Sequence, residues 1–563
     1  MKQWDAIVIG AGHNGLIAAG YLARAGKRVL VLERREIVGG ACVTEEVWPG
    51  YRVSTAAYLC SLLRPEIIED LELSKYGYEV YQRDTAGFAP FPDASSLFLY
   101  ADAEKTRTAL ESFCEDSPED VDAYFAFEQE VGRVTSVLQE FMLREPPTES
   151  ELLEAFSSVG IASLYPEYIT GSVRELLDRR FKSDKLKVVL ATDGLIGTYG
   201  GPSTPGTAYV LTHHYLGNAT GVEGAWGYVR GGMGVITQAL ASGFLERGGE
   251  IRTSCEVEEI LLEAGRAVGV RLAGGEVLRA NVVLSNADPH RTFNRLLKRS
   301  DIESPGALSE NDLSAPAEIG NSLISQGGAS CKINLAVSEL PRFSCLPEKA
   351  SIHNATLAGV GTSPAEEHLG TVHICPDMEH LERAWAEARS GRPSTEPMIE
   401  MYLQTATDSS LTPPGKHILS LFTQYFPYNL APGLDLDEER ERYADRVIEI
   451  VGRYAPNVPA SILHRQILTP RDLESRFGLT GGHIFHGDLL PPNLWASRPA
   501  VGFHGSRTPI QGLYLCGSGA HPGGCVFGAP GWNAAHQVLE DGEGISQCFS
   551  RVRKSPVLFE SLD

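Results

Sequence analysis

Gly10, Gly12 and Gly15 stand in the run Gly-Ala-Gly-His-Asn-Gly, which also holds His13 and Asn14. The spacing G-x-G-x-x-G suits a dinucleotide. Its glycines let the backbone approach a pyrophosphate, and a helix starting there turns free N–H groups and a partial positive charge toward it. This chemistry needs a strand before the glycines and a helix after them. The chain supplies both, an apolar run at 6–9 and a helical pattern over 16–25. A second apolar run at 29–32 leads into Glu33, about 20 residues beyond the first glycine, where a carboxylate accepts hydrogen bonds from adenosine ribose hydroxyls.

Other reactive residue types carry weaker patterns. Cys42 is followed by Val47 where a dithiol partner would stand, so disulfide reduction is disfavoured and the thiol reads as small packing volume. His483, His486 and Asp488 lie among glycines that argue against one helical face, so no metal site is assigned. His213 and His214, as neighbours in a strand, would point to opposite sides. Phe422, Tyr425, Phe426 and Tyr428 could line a substrate channel or fill a domain core.

The glycine motif alone does not separate NAD from FAD. The continuation Glu33-Arg34-Arg35-Glu36-Ile37-Val38-Gly39-Gly40, followed by Ala41, resembles the ERxxxxGG segment of FAD-binding oxidoreductases. Gly512-Leu513-Tyr514-Leu515-Cys516-Gly517-Ser518-Gly519 resembles their second flavin segment. With the runs at 224–234, 284–289, 420–428, 477–486 and 511–535, the chain resembles the phytoene desaturase-like FAD oxidoreductases over almost its whole length.

The resemblance implies FAD held by Gly10, Gly12, His13, Asn14, Gly15, Glu33, Arg34, Gly39, Gly40, Ala41, Gly517, Ser518 and Gly524. It further implies that the backbone of Val257 meets adenine and that Gly232-Met233 passes the isoalloxazine. His521 is the candidate catalytic residue, a proton donor or orienting group near the ring, set against a bracing role in its glycine-rich loop. Close relatives read HPGGG where this chain has His521-Pro522-Gly523-Gly524-Cys525. Hydride exchange through flavin N5 with a C–C or C–N bond is implied, in a site with mainly apolar walls and few polar groups.

These residues require elements to position them. The fold class expected is α/β: an FAD-binding doubly wound (Rossmann-like) domain interleaved with an α+β substrate domain and a helical insertion. The FAD-binding domain is assigned to 1–101, 226–300 and 490–545, the insertion to 102–225, the substrate domain to 301–489, and a tail to 546–563. Helices are expected over 119–138, 149–156, 173–181, 436–454 and 532–539, and substrate-domain strands over 332–337, 397–404 and 417–425.

Composition narrows the function. The formal net charge of −23 repels phosphate backbones, which speaks against nucleic acid as a partner. No run of about 18 apolar residues occurs, and no leader precedes the first strand, so a cytoplasmic location is expected. Peripheral membrane contact by the acidic insertion stays open beside the favoured reading of a solvated face. Without a second G-x-G-x-x-G, the electron acceptor expected is oxygen or a quinone. The reading is an FAD-dependent oxidoreductase, a desaturase or dehydrogenase taking hydride from a hydrophobic small molecule. Amine-oxidase-like chemistry, carotenoid isomerase-like chemistry and a regulatory protein with structural FAD are its alternatives.

Overall fold

Two uninterrupted apolar strands, β1 (Trp4–Ile9) and β2 (Val29–Leu32), pair in parallel and are joined by helix α1 (His13–Arg24). The computed structural model describes residues 3–302, 314–323, 327–347 and 364–543, and the tail expected at 546–563 lies outside them. Helix α1 buries Leu16, Ile17 and Leu22 against Ala239 and Leu240 of one helix and Ala534 and Ala535 of another. Gly12 is its N-cap, so no side chain satisfies the first-turn N–H groups.

After β2 the chain leaves this sheet. It forms the antiparallel pair β3 (Thr85–Pro90) and β4 (Ser96–Tyr100), then a helical region that includes α2 (Glu119–Gln139) and α3 (Glu149–Ser158). Thr148 and Glu151 close a capping box at the start of α3, which fixes where that helix begins. The chain returns with β5 (Glu250–Arg252), β6 (Val257–Glu263), β7 (Arg266–Leu272) and β8 (Val277–Ser285). The substrate-side strands follow as β9 (Ser330–Val337), β10 (Thr371–Ile374), β11 (Met398–Tyr402), β12 (His417–Gln424) and β13 (Ile462–Leu468), and β14 (Leu513–Leu515) comes last.

The first sheet runs β6-β7-β8-β1-β2-β5, with β14 parallel to β8 along Val283–Ser285. Its core is the parallel set β14, β8, β1, β2 and β5, as a doubly wound α/β domain requires. The second sheet runs β13-β9-β12-β11-β10-β3-β4. Its strands β3 and β4 come from the segment assigned by sequence to the FAD-binding domain. Their pairing through Thr371↔Gly87 and Val372↔Phe88 places residues 85–100 in the second sheet instead.

The central strands of the second sheet are buried on both faces, yet the faces differ. One carries Cys331, Ile333, Leu335, Ile399, Met401, Leu419 and Leu421, packed on Tyr443, Val447 and Val451 of the helix Leu436–Tyr454. The other carries Ser330, Lys332, Asn334, Glu400, Tyr402, Ser420 and Gln424, a polar set that no packed core would hold unpaired. Among the described residues no helix is long and apolar enough to cross a membrane.

Candidate active site

A cavity of about 540 Å³ lies between the glycine motif and the polar face of the second sheet. At its first end are Gly10, Gly12, His13, Asn14, Glu33, Arg34, Gly39, Gly40, Ala41, Val257 and Ser518, all expected from sequence. Glu33 is buried there. Its Oε2 accepts from the Ala11 amide at 2.9 Å and its Oε1 from the Arg35 amide at 2.9 Å, so the carboxylate is held in place by the loop it follows. Asn14 donates to Ser518 Oγ at 3.3 Å, which joins the start of α1 to the loop after β14. Arg34 turns its guanidinium to the carbonyls of Ser475 and Arg476 at 3.0 and 2.9 Å.

Close backbone approach explains the glycines. A Cβ on Gly15 would stand 2.3 Å from the Gly10 carbonyl oxygen, and one on Gly12 2.8 Å from Asn286 Nδ2. These approaches bring three loops together at the uncapped N-terminus of α1. Asn14 Oδ1 and one ring nitrogen each of His13 and His486 are buried there without a partner among the described residues. Uncapped amides, unpartnered polar atoms and a fixed carboxylate form a donor and acceptor set suited to an extended dinucleotide.

Six expected residues do not line the cavity. Gly15 and Gly517 sit beneath the first end, Gly517 tight against the Asn286 carbonyl. Gly232 and Met233 pack behind the Gly39–Thr44 segment: Met233 N donates to Ser54 Oγ at 3.1 Å and its carbonyl accepts from Cys42 Sγ at 3.3 Å. Gly524 is wedged against Phe485. His521 is buried outside the cavity, where Nε2 donates to the Phe141 carbonyl at 2.7 Å and burial pushes the ring down to about 4. It braces its loop against the helical region. The αL residue beside it that does reach the cavity is Cys525, at φ 69°.

A second polar feature organises the same loops. The guanidinium of Arg498 is fully buried and donates to the carbonyls of Phe485, Gly487, Asp488, Asn493 and Ser518. Burial lowers its pKa to about 10, which leaves it charged at neutral pH. His483 Nε2 meets Asp488 Oδ1 at 3.0 Å in this framework, while His486 turns to the cavity.

The far end of the cavity was not foreseen from sequence. Register pairs Lys332 with Phe422, Phe422 with Glu400, and Glu400 with His373, so these four form one row across β9, β12, β11 and β10. All four line the cavity, with Tyr58 and Tyr402 beside them. Glu400 accepts the Tyr402 hydroxyl, and its other oxygen lies 3.6 Å from His373 Nδ1. Lys332 Nζ stands 3.7 Å from the centre of the Tyr58 ring and has no hydrogen-bond partner among the described residues.

The helical region supplies the opposite wall, including Tyr124, Glu128, Asp193, His214, Tyr215 and Trp226. Residues 207–214 are a helix rather than the strand expected, which is why His214 faces the cavity. Desolvation dominates the electrostatics. Burial, with the charge of Asp193, pushes Glu400 up to about 8; burial pushes Glu128 up to about 7 and Asp193 up to about 6, the latter against the nearby Arg83. Burial drives Lys332 well below the usual lysine range and holds His373 near 4. The walls of the cavity are mainly apolar, as expected, but this end gathers more polar groups than the few expected.

The aromatic cluster divides where β12 ends at Gln424. Phe422 lines the cavity, whereas Phe426 packs on Tyr443 and Tyr425 donates to the Gly200 carbonyl at 2.7 Å. The missed signal was a period of two: Ser330, Lys332 and Asn334 alternate with Cys331, Ile333 and Leu335, and Glu400 sits between Ile399 and Met401.

A doubly wound dinucleotide domain that shares a cavity with a mixed sheet defines a flavoenzyme class, and comparison bears this out. The chain belongs to the flavin containing amine oxidoreductase family, whose sequence pattern matches residues 15–297. It is an oxidoreductase with FAD as its cofactor. Among individual relatives, it is 41% identical to mouse (Mus musculus) pyridine nucleotide-disulfide oxidoreductase domain-containing protein 2, over 96% of this chain and 94% of that one. One of the polypeptides of limonene dehydrogenase from Castellaniella defragrans is 28% identical over 96% and 95% of the two chains. An oxidoreductase structure from Methanosarcina mazei shares the fold at a TM-score of 0.54 and 20% identity, covering 95% of this chain and 99% of that one.

Proposed function

We propose that this enzyme is an FAD-dependent dehydrogenase that takes hydride from a small molecule with a largely apolar body and one polar end. FAD, when held by the residues at the first end of the cavity, would supply a two-electron acceptor. The residues proposed to hold it are those gathered there, with Glu33 toward the ribose, the α1 N-terminus toward the diphosphate, Val257 toward adenine and Ser518 on the far side. Gly15, Gly232, Met233, Gly517 and Gly524 support that end from behind by letting its loops pack closely.

The single observation that carries the substrate reading is the row Lys332, Phe422, Glu400 and His373 facing the cavity. Phe422, Tyr58, Tyr402 and Trp226 provide the apolar contact area, while Lys332 and the protonated Glu400 give an acceptor and a donor to a neutral polar group. A hydrocarbon would leave those groups without partners, at a cost of about 1–3 kcal/mol each. Desaturation of a pure hydrocarbon is the second reading, favoured by the similarity to the limonene dehydrogenase polypeptide. Oxygen or a quinone is the proposed reoxidant.

The test is anaerobic bleaching of the flavin band by matched substrates: a monoterpene hydrocarbon, the corresponding alcohol and the corresponding amine. Bleaching by the alcohol or amine, but not the hydrocarbon, is expected. Bleaching by the hydrocarbon alone would overturn the polar-end reading in favour of desaturation.

A further inference from the structure

Lys332 is more than a polar patch on the wall. Its amine reaches the cavity, touches the face of Tyr58 at 3.7 Å, lies 5.5 Å from the centre of the Tyr402 ring, and has no hydrogen-bond partner among the described residues. Phe422 stands between it and Glu400 in the row, so the two groups sense one another without forming an ion pair. Of the groups around it, Tyr58 and Tyr402 are neutral phenols, His373 is neutral, and the charge of Asp193 acts on Glu400 and Tyr58. With no anion in contact among the described residues, desolvation favours the free amine on Lys332 and keeps the proton on Glu400. A desolvated lysine in an apolar pocket is the arrangement that makes an amine nucleophilic at neutral pH.

We propose that Lys332 captures a carbonyl compound, an aldehyde or ketone with an apolar body, as an imine in this cavity, with Glu400, two strands along the same row, as the proton donor. The Nζ lone pair forms a bond to the carbonyl carbon while the C=O pair moves to oxygen. That oxygen takes up the proton released by nitrogen, giving a carbinolamine. Glu400 then protonates the hydroxyl, which leaves as water as the C=N bond forms, and its carboxylate recovers the second nitrogen proton. One amine and one carbonyl become one imine and one water, and nothing is oxidised or reduced. Tyr58, Tyr402 and Phe422 provide the surface on which the apolar body rests.

This capture needs no turnover, so it stands or falls separately from the dehydrogenase reading. The experiment treats the purified FAD-loaded enzyme with hexanal and sodium cyanoborohydride at neutral pH and locates alkylated lysines by peptide mass mapping. Lys332 is expected to be alkylated roughly tenfold or more faster than the exposed Lys182, whose amine is mostly protonated at that pH. Glu400→Gln is expected to slow alkylation at Lys332 by roughly tenfold or more while leaving Lys182 unchanged. Lys332→Arg should remove the fast site altogether, with the flavin absorbance band confirming that each variant is folded. Alkylation of Lys332 no faster than Lys182 in the parent enzyme would overturn the proposal, whatever the variants do. An unchanged rate at Lys332 in Glu400→Gln would overturn the role given to Glu400.

Discussion

Replacing Arg498 with methionine should loosen FAD before it unfolds the protein. The guanidinium reaches the Ser518 carbonyl twice, at 2.8 and 3.2 Å, and those of Phe485, Asp488, Asn493 and Gly487 at 2.8, 3.1, 3.2 and 3.4 Å. Its loss removes a buried charge together with the donor its partners share, a change of about 3–5 kcal/mol when one member of such a set is deleted. The share felt by the cofactor runs through Ser518, whose hydroxyl also meets Asn14 at the start of α1. Two charge-assisted bonds at about 1.5–3 kcal/mol each, reduced by about half for loop relaxation, leave about 1.5–3 kcal/mol. That corresponds to FAD binding weakened roughly 10- to 150-fold. Arg498→Lys keeps the charge but cannot span five carbonyls, so it should fall between. Titration of FAD into flavin-stripped protein, followed by flavin fluorescence, measures the change. A methionine variant that binds FAD within about threefold of the parent, with an unchanged melting temperature, would refute the clamp.

Glu33→Ala removes the acceptor for the Ala11 and Arg35 amides and should weaken FAD binding roughly 10- to 100-fold in the same titration; unchanged affinity would take Glu33 out of the cofactor site. Glu400 is held protonated up to about pH 8 against an ordinary value of 4.5, so the folded chain binds a proton that the unfolded chain releases. Its stabilising contribution is full below about 4.5 and is lost as pH rises through 8, so Glu400→Gln should gain melting temperature relative to the parent across that window, and parallel curves would count against it. His521→Gln retains a donor for the Phe141 carbonyl; it should cost about 1–2 kcal/mol of stability and leave flavin reduction within about threefold in stopped flow. A hundredfold slower reduction at full FAD content would restore a catalytic part for His521.

The cofactor end was legible because its constraints are local. A glycine spacing, two apolar runs and a carboxylate at the end of β2 all lie within one strand-helix-strand unit, and Glu33 stands where that unit predicts. Val257 and Ser518 needed the family resemblance, since β6 and the loop after β14 reach the site only through sheet pairing across hundreds of residues. For His521 both a catalytic and a bracing part were open, because it is close in sequence to residues at the cavity while its ring turns to Phe141 on another element. Lys332 and Glu400 were invisible because each is a single charge in an apolar stretch, and only the register through Phe422 shows that they share a face. Residues 85–100 were grouped with the FAD-binding domain, and their place in the second sheet was not legible because a two-strand hairpin carries no local mark of what it will pair with.

The pairing of β14 with β8, and the Asn14–Ser518 contact behind it, also set an order of events during synthesis. Gly10 to Gly15 leave the ribosome early, yet the loop that closes their cleft is made near the other end of the chain. At about 5–20 residues per second, the nascent chain spends on the order of half a minute or more with its glycine motif exposed and its sheet one strand short. Firm FAD capture is therefore expected only after the Ser518 loop has joined the sheet, as a late event that reports completed folding.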